Sequence, residues 1–200
     1  MADVTFSQRA NVLIIGDFNV GKSTLINYQR TKQFDNTIVP TIEIEPSTIN
    51  VTVNGTNMIF TVKDSPGMKE DSIKYGRFVF PEFQNCAVIM FVYDKTHRPS
   101  FDQITYLKQM VDELVNRRME CILVGNKCDI ATDNDVTFND GHERCAELNM
   151  DLFIEISAKK GTNVEELFCE AALRLKNMGL EFGSTKELHK SENNHKSCQC

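Results

Sequence analysis

Gly16-Asp17-Phe18-Asn19-Val20-Gly21-Lys22-Ser23 restricts this chain more than any other stretch, because two glycines, four residues between them, then Lys and Ser form a spacing that wraps a polyphosphate. Ahead of it, Asn11-Val12-Leu13-Ile14-Ile15 is a short β-branched run of the kind that becomes a buried parallel strand; behind it, Thr24-Leu25-Ile26-Asn27-Tyr28 can open a helix. In that setting the loop N–H groups and the helix N-terminus aim positive partial charge at phosphate oxygens. Lys22 adds a full charge and Ser23 a hydroxyl suited to Mg²⁺. The candidate phosphate-binding residues are Asn19, Val20, Gly21, Lys22, Ser23 and Thr24. A plain Gly-rich turn is the simpler alternative, and the flanking strand and helix argue against it.

The rest of the chain alternates strand and helix signals. Thr31 to Glu45 lacks periodicity and contains Pro40, so it reads as a long loop returning to the sheet. Ser47–Val53 and Met58–Val62 alternate in polarity around Asn54-Gly55-Thr56-Asn57, a hairpin signal. Lys63 to Tyr75 is a second irregular stretch, and Cys86–Tyr93, Cys121–Val124 and Leu152–Ile156 read as buried strands. Ser100 with Gln103 forms a capping-box pattern before Phe101, Ile104, Leu107, Val111, Leu114 and Val115 at helical spacing. Asp140 to Leu148 is a short helix, and Asn163 with Glu166 repeats the capping pattern ahead of a helix through Leu175, with Gly179 as its stop. This order predicts an α/β fold: a mostly parallel sheet of about six strands, helices on both faces, and the hairpin giving one antiparallel edge. Ligands then belong at the carboxyl ends of the strands. Residues 1–10 read as a lead-in, 11–180 as the binding domain, and 181–200 as a disordered tail, polar from Ser184 on with Leu188 its one large aliphatic.

Composition excludes some partners. At 200 residues and 41% hydrophobic content the chain suits one domain with one good core. A net charge of −6 without a long basic run argues against nucleic acid as a partner, so phosphate recognition must be local. The seven cysteines are unclustered until the last three residues, and neither a signal peptide nor a membrane-length apolar run is visible. The expectation is a reduced, cytoplasmic protein, in which Asn50-Val51-Thr52 and Asn54-Gly55-Thr56 are strand and turn residues rather than glycosylation sites.

A phosphate loop does not choose among kinases, ATPases and GTPases; the deciding feature must read the base. Asn126-Lys127-Cys128-Asp129 directly follows a buried strand. A carboxylate there can accept from both the ring N–H and the exocyclic amine of guanine, whereas adenine has no matching donor pair. The tetrapeptide alone would also suit a polar turn, but behind a phosphate loop it resembles the NKxD motif of guanine-nucleotide-binding proteins. Ser157-Ala158-Lys159, which by itself could be an ordinary loop, resembles the SAK motif that contacts the base edge. In order and spacing the sequence resembles a Ras-superfamily small GTPase, most similar to the Rab family, from Asn11 to Gly179 and again over the last three residues.

The resemblance implies a P-loop small GTPase fold, GTP or GDP with Mg²⁺ as ligands, and GTP hydrolysis to GDP and phosphate. It places Thr41, in Pro40-Thr41-Ile42, as the switch threonine that coordinates Mg²⁺ and closes over the γ-phosphate. Phe34 becomes the aromatic packed edge-on against guanine, or else a loop residue anchored in the core. Asp64-Ser65-Pro66-Gly67 resembles the DxxG motif, Asp64 holding Mg²⁺ through water and the Gly67 N–H meeting the γ-phosphate. The implied metal set is thus Ser23, Thr41 and Asp64, and the implied catalytic set Lys22, Thr41 and Gly67. Cys198-Gln199-Cys200 resembles the Rab CxC ending, prenylated on both sulfurs. Effectors, exchange factors and GTPase-activating proteins would bind through Thr31–Ile44 and Lys63–Tyr75, and the lipid would seat the chain on the cytosolic face of an intracellular membrane as a vesicle-trafficking switch.

Departures from the family pattern matter as much. Relatives carry DTAGQ where this chain has Asp64-Ser65-Pro66-Gly67-Met68, and a thioether cannot orient the attacking water as glutamine does. Phe18 stands where Rabs carry a small residue, and its ring would crowd that water or an incoming arginine finger. Lys63 replaces a Trp and Lys69 a Glu. Slow hydrolysis with intact nucleotide binding is the expectation. A guanine-binding interaction module that scarcely cycles remains open, as does a P-loop kinase, although the latter lacks an evident lid insert and leaves residues 126–129 unexplained.

Overall fold

A computed structural model describes residues 6–37, 41, 44, 46–67, 81–132, 135–178 and 185–186. Its sheet runs β2-β3-β1-β4-β5-β6, from β1 (Phe6–Gly16), β2 (Pro46–Val53), β3 (Thr56–Asp64), β4 (Val88–Asp94), β5 (Glu120–Asn126) and β6 (Leu152–Glu155), with β7 (Thr185–Lys186) paired to β1. The pairs β3–β1, β1–β4, β4–β5 and β5–β6 are parallel and β2–β3 is antiparallel. This is the fold class read from the sequence. The helices are α1 (Lys22–Thr31), α2 (Arg98–Leu114), α3 (Phe138–Glu147) and α4 (Val164–Asn177), with a further helical segment at residues 81–85.

Strand alternation divides the core between the two faces. Val12, Ile14, Met90 and Val92 share one cluster with Leu25 of α1 and Phe168 of α4; Leu13, Ile15, Ile89, Phe91 and Tyr93 share the other with Phe101, Ile104 and Leu107 of α2. Each such buried aliphatic or aromatic side chain stabilises the fold by about 1.5–3 kcal/mol. Because both faces are covered, β4 and β5 are buried at every position. The hairpin turns at Asn54 and Gly55, both at positive φ (48° and 72°), the handedness that matches the twist of the flanking strands. Register then gathers the carboxyl ends: Ile14 lies opposite Asp64, Gly16 opposite Val92, and Asp94 opposite Asn126.

Several local expectations are corrected. β1 starts at Phe6, inside the supposed lead-in, because the backbone from Ser7 to Ala10 pairs with Asn57–Phe60 of β3 before the apolar run begins. Asp64, placed in an irregular stretch by the sequence reading, closes β3. Ser100 does not cap α2. The helix opens at Arg98, since Pro99 fits a first turn that needs no N–H, and the Ser100 hydroxyl turns back to accept from Asp94 N at 3.0 Å and donate to His97 O at 2.7 Å. Asn163 holds the N-cap position of α4 at φ 56°, but its side-chain amide donates to Glu155 O at 2.8 Å instead of capping. A capping box does occur at Thr137 and Asp140, starting α3 at Phe138. Thr185–Lys186, assigned to the tail, pairs antiparallel with Phe6 and Ser7, which β3 and β4 leave open on one side. Pro40, Ile42, Gly179 and residues 187–200 lie outside the described residues.

Candidate functional site

The sequence between β1 and α1 makes a loop closed on both sides by other motifs. Val20 is buried, and its carbonyl accepts from Asn126 Nδ2 at 2.8 Å. Gly21 sits at φ 94°, where a Cβ would come within 2.4 Å of that same amide nitrogen. Glycine is therefore required twice over, by conformation and by space. Lys22 is buried, its Nζ donating to Gly16 O at 3.1 Å and Asp17 O at 2.7 Å. Burial pushes its ammonium down to about 8, against the pull of Asp64 and Asp17. The first turn of α1 carries no acidic side chain, so its positive end faces the cleft uncompensated. That cleft, about 250 Å³, is lined by Phe18, Lys22, Ser23, Phe34, Thr41 and Gly67 among others, with Asn19 and Thr24 also on its wall.

Three oxygen groups from three parts of the chain meet beside Lys22. Ser23 Oγ lies 2.8 Å from Thr41 Oγ1 and donates to Asp64 Oδ2 at 2.5 Å, and Thr41 Oγ1 donates to the same Oδ2 at 2.8 Å. The other carboxylate oxygen, Asp64 Oδ1, is buried with no hydrogen-bond partner among the described residues, an orphan with unused acceptor capacity. Two hydroxyls and a carboxylate form a hard-oxygen set that fits Mg²⁺, whose remaining positions water and phosphate oxygens can fill. Gly67 closes the cleft from above: a Cβ there would stand 2.5 Å from Phe18 Cα and 2.7 Å from Phe18 N. Phe18 itself is 55% exposed at the cleft mouth.

The second half of the site lies beyond β5. Asn126 is buried and works as a staple, its Oδ1 accepting from Lys127 N at 2.8 Å and from Ala158 N at 3.0 Å while its amide holds Val20. Lys127 reaches Asn19 O at 2.9 Å. Asp129 Oδ1 accepts from Ser157 Oγ at 2.7 Å, and Lys159 stacks over the Phe34 ring with its Nζ 5.6 Å from the centroid. Phe34 is thus a cleft residue, 38% exposed, rather than an anchor in the core. All the proposed binding residues from 19 to 159 are brought to one edge of the sheet. Asp94 was missed: its carboxylate pairs with Lys127 Nζ at 2.7 Å. Its place at the end of β4, where ligand loops gather in such sheets, was the available signal. Met68, Lys69, Cys198 and Cys200 lie outside the described residues.

Comparison with known proteins bears on what this geometry serves. The sequence model of the Ras family matches residues 11–177. The chain is 30% identical over 172 residues to Ras-related protein Rab-10 of Diplobatis ommata, covering 86% of this chain and 84% of the relative. It is 29% identical over 200 residues to Ras-related protein Rab-4 of Dictyostelium discoideum, covering 94% and 95%. Ras-related protein SEC4 of Candida albicans is 30% identical over 161 residues, covering 80% and 74%.

Proposed function

The chain belongs to the Ras family of small GTPases, most similar to its Rab members, and on that premise we propose that it is a guanine-nucleotide switch of intracellular membrane traffic with slow GTP turnover. One observation carries the reading: a phosphate loop, a hard-oxygen cluster and the Asn126–Asp129 loop meet at the carboxyl ends of β1, β3 and β5, tied by the Asn126–Val20 hydrogen bond. In this reading Asn19 to Thr24 and Gly67 cradle the phosphates through backbone N–H groups, and Lys22 spans the β- and γ-phosphates. Ser23 and Thr41, with Asp64 through water, would hold Mg²⁺, which would supply charge neutralisation on those oxygens. Asp129 accepts from guanine, Asn126 and Ala158 fix the loops around it, and Phe34 with Lys127 and Lys159 flanks the base. Partners that sense the nucleotide dock on Thr31–Ile44 and Lys63–Tyr75, the segments that carry Thr41 and Gly67.

The metal assignment has its own test. Ser23→Asn removes a hydroxyl from the set that would hold the cation, so GTP affinity in Mg²⁺ should fall more than GDP affinity. Titration of both nucleotides with and without Mg²⁺ reads this, and equal losses would take Ser23 out of the metal shell.

Membrane attachment rests on Cys198 and Cys200. Two lipid chains anchor where one binds only marginally, and the absence of a basic cluster leaves little help from anionic headgroups. Among the described residues no helix is long and apolar enough to cross a membrane. Mass spectrometry of the protein from its native cells should find both thiols modified; unmodified thiols would end this part of the reading.

A further inference from the structure

We infer that Lys95, through a nearly buried ion pair with Glu155, positions the loops that read the base and so sets guanine selectivity without touching the nucleotide. The inference rests on the guanine reading above and names a residue that none of the family motifs contains. Lys95 directly follows β4, and its Nζ lies 2.6 Å from Glu155 Oε1, with the two side chains only 10% and 17% exposed. Glu155 ends β6, so the pair crosses over the intervening end of β5. It crosses there because β5 carries Gly125, opposite both Tyr93 and Glu155. A Cβ on Gly125 would come within 2.7 Å of the Tyr93 hydroxyl and 3.5 Å of Lys95 Cγ.

Both ends of this tie lead to the base-reading residues. On one side the Lys95 N–H donates to Asn126 O at 3.0 Å, and Lys95 O accepts from Val136 N at 3.0 Å, which fixes the far end of the loop bearing Asp129. On the other side, Glu155 stands two residues before Ser157, whose hydroxyl bonds Asp129 Oδ1, and the Glu155 carbonyl is held by Asn163. Ile156 N–H donates to Gly125 O at 2.8 Å, and Ile156 O accepts from Cys128 N at 3.1 Å, so a shift of β6 moves the 126–129 loop with it. The floor is formed by Tyr93, fully buried and with its hydroxyl unpartnered among the described residues. The Lys95–Glu155 contact is a close pairing of opposite charges rather than an aligned hydrogen bond, and in such a dry setting breaking it leaves a buried charge that must move to find water. The neighbouring Asp94–Lys127 pair ties the same loop just before Asp129, while the Lys95 backbone holds its far end at Val136.

The test uses the full-length protein and two probes, guanosine diphosphate and inosine diphosphate, which lacks the exocyclic amine. Lys95→Met should weaken GDP binding by roughly 10- to 100-fold and inosine diphosphate binding by less, so the preference for guanine shrinks, because a carboxylate out of place loses its second acceptor contact first. Lys95→Arg should recover most of that preference. The double variant Lys95→Met with Glu155→Gln leaves no buried charge and so decides the matter if the single variant fails to fold; it too should lose preference. Equal weakening of both nucleotides in every variant, or an unchanged preference, would overturn the inference. Amide exchange at Ala158 in nucleotide-free protein gives a second readout, expected to quicken in both Met variants; an unchanged rate would count against the tie. A wild type that bound no GDP would instead overturn the guanine reading itself, leaving exchange at Ala158 to judge whether Lys95 holds the loop.

Discussion

Asp129→Asn is expected to cost about 2–4 kcal/mol of guanine-nucleotide affinity, roughly 30- to 1,000-fold, while the thermal midpoint of the fold barely moves. The asymmetry follows from what Asp129 touches. Oδ1 accepts from Ser157 Oγ at 2.7 Å, and an asparagine oxygen can take over that bond, so the loop keeps its internal support. The second position would change from an acceptor to an NH₂ group, which in the proposed reading would face guanine's own donors. A charge-assisted pair would be lost and two donors left opposed. Equilibrium titration beside a melting curve separates the two effects. Wild-type affinity in the variant would remove Asp129 from base recognition, and a collapsed melting curve would make it a structural residue.

The second large effect concerns turnover. Wild-type single-turnover hydrolysis should be slow, Met68→Gln should recover only part of the deficit, and Phe18→Gly with Met68→Gln should raise the rate on the order of 10- to 100-fold. Two parts of the machinery differ from the family pattern. Position 68 lacks a side chain that can orient water, and Phe18 stands at the cleft mouth against Gly67, whose N–H would meet the γ-phosphate in the proposed reading. Phosphoryl transfer depends mostly on positioning and charge stabilisation, so a displaced water costs rate even where every phosphate contact is intact. In the proposed reading, an activating protein that brought a glutamine as well as an arginine of its own would compensate for Met68 but not for Phe18. Since both residues act on one transition state, the double change should exceed the sum of the single effects in log rate. Phosphate release from preloaded GTP measures this. A wild type as fast as the double variant would show that neither side chain limits the chemistry, and a static guanine-binding module would show no turnover in any of them.

What the sequence disclosed and what it hid divide along a physical line. Glycine spacing, buried β-branched runs and the Asn54-Gly55 turn are local signals with one dominant outcome, so the mostly parallel sheet and the hairpin edge could be read directly, whereas Thr41 and Asp64 were placed near Lys22 only by the resemblance to the family. Helix starts were less legible. Ser100 and Asn163 have capping chemistry, but each found a better partner in the neighbouring strand end, and Pro99 moved the start of α2 to Arg98. Side-chain hydrogen bonding to local backbone competes with such long-range contacts, and no one-dimensional pattern ranks them. The pairings of Asp94 and Lys95 were hidden for the same reason, although Asp94's place at the end of a strand was a signal in itself. Their partners, Lys127 and Glu155, lie about 30 and 60 residues away and are adjacent only because β4, β5 and β6 are neighbours in the sheet. The start of β1 at Phe6 was hidden because Ser7, Gln8 and Arg9 have no apolar signature and owe their strand to backbone pairing with β3.

The central claim, that this cleft binds guanine nucleotide, is tested most directly by what the protein already carries. The full-length chain, purified in Mg²⁺ without added nucleotide and then denatured, releases its ligand for chromatographic identification and quantification against protein. The account predicts close to one guanine nucleotide per chain, with a substantial share still as GTP because turnover is slow. Recovery of adenine nucleotide, or of no nucleotide from folded protein that also fails to take up added GDP, would contradict it.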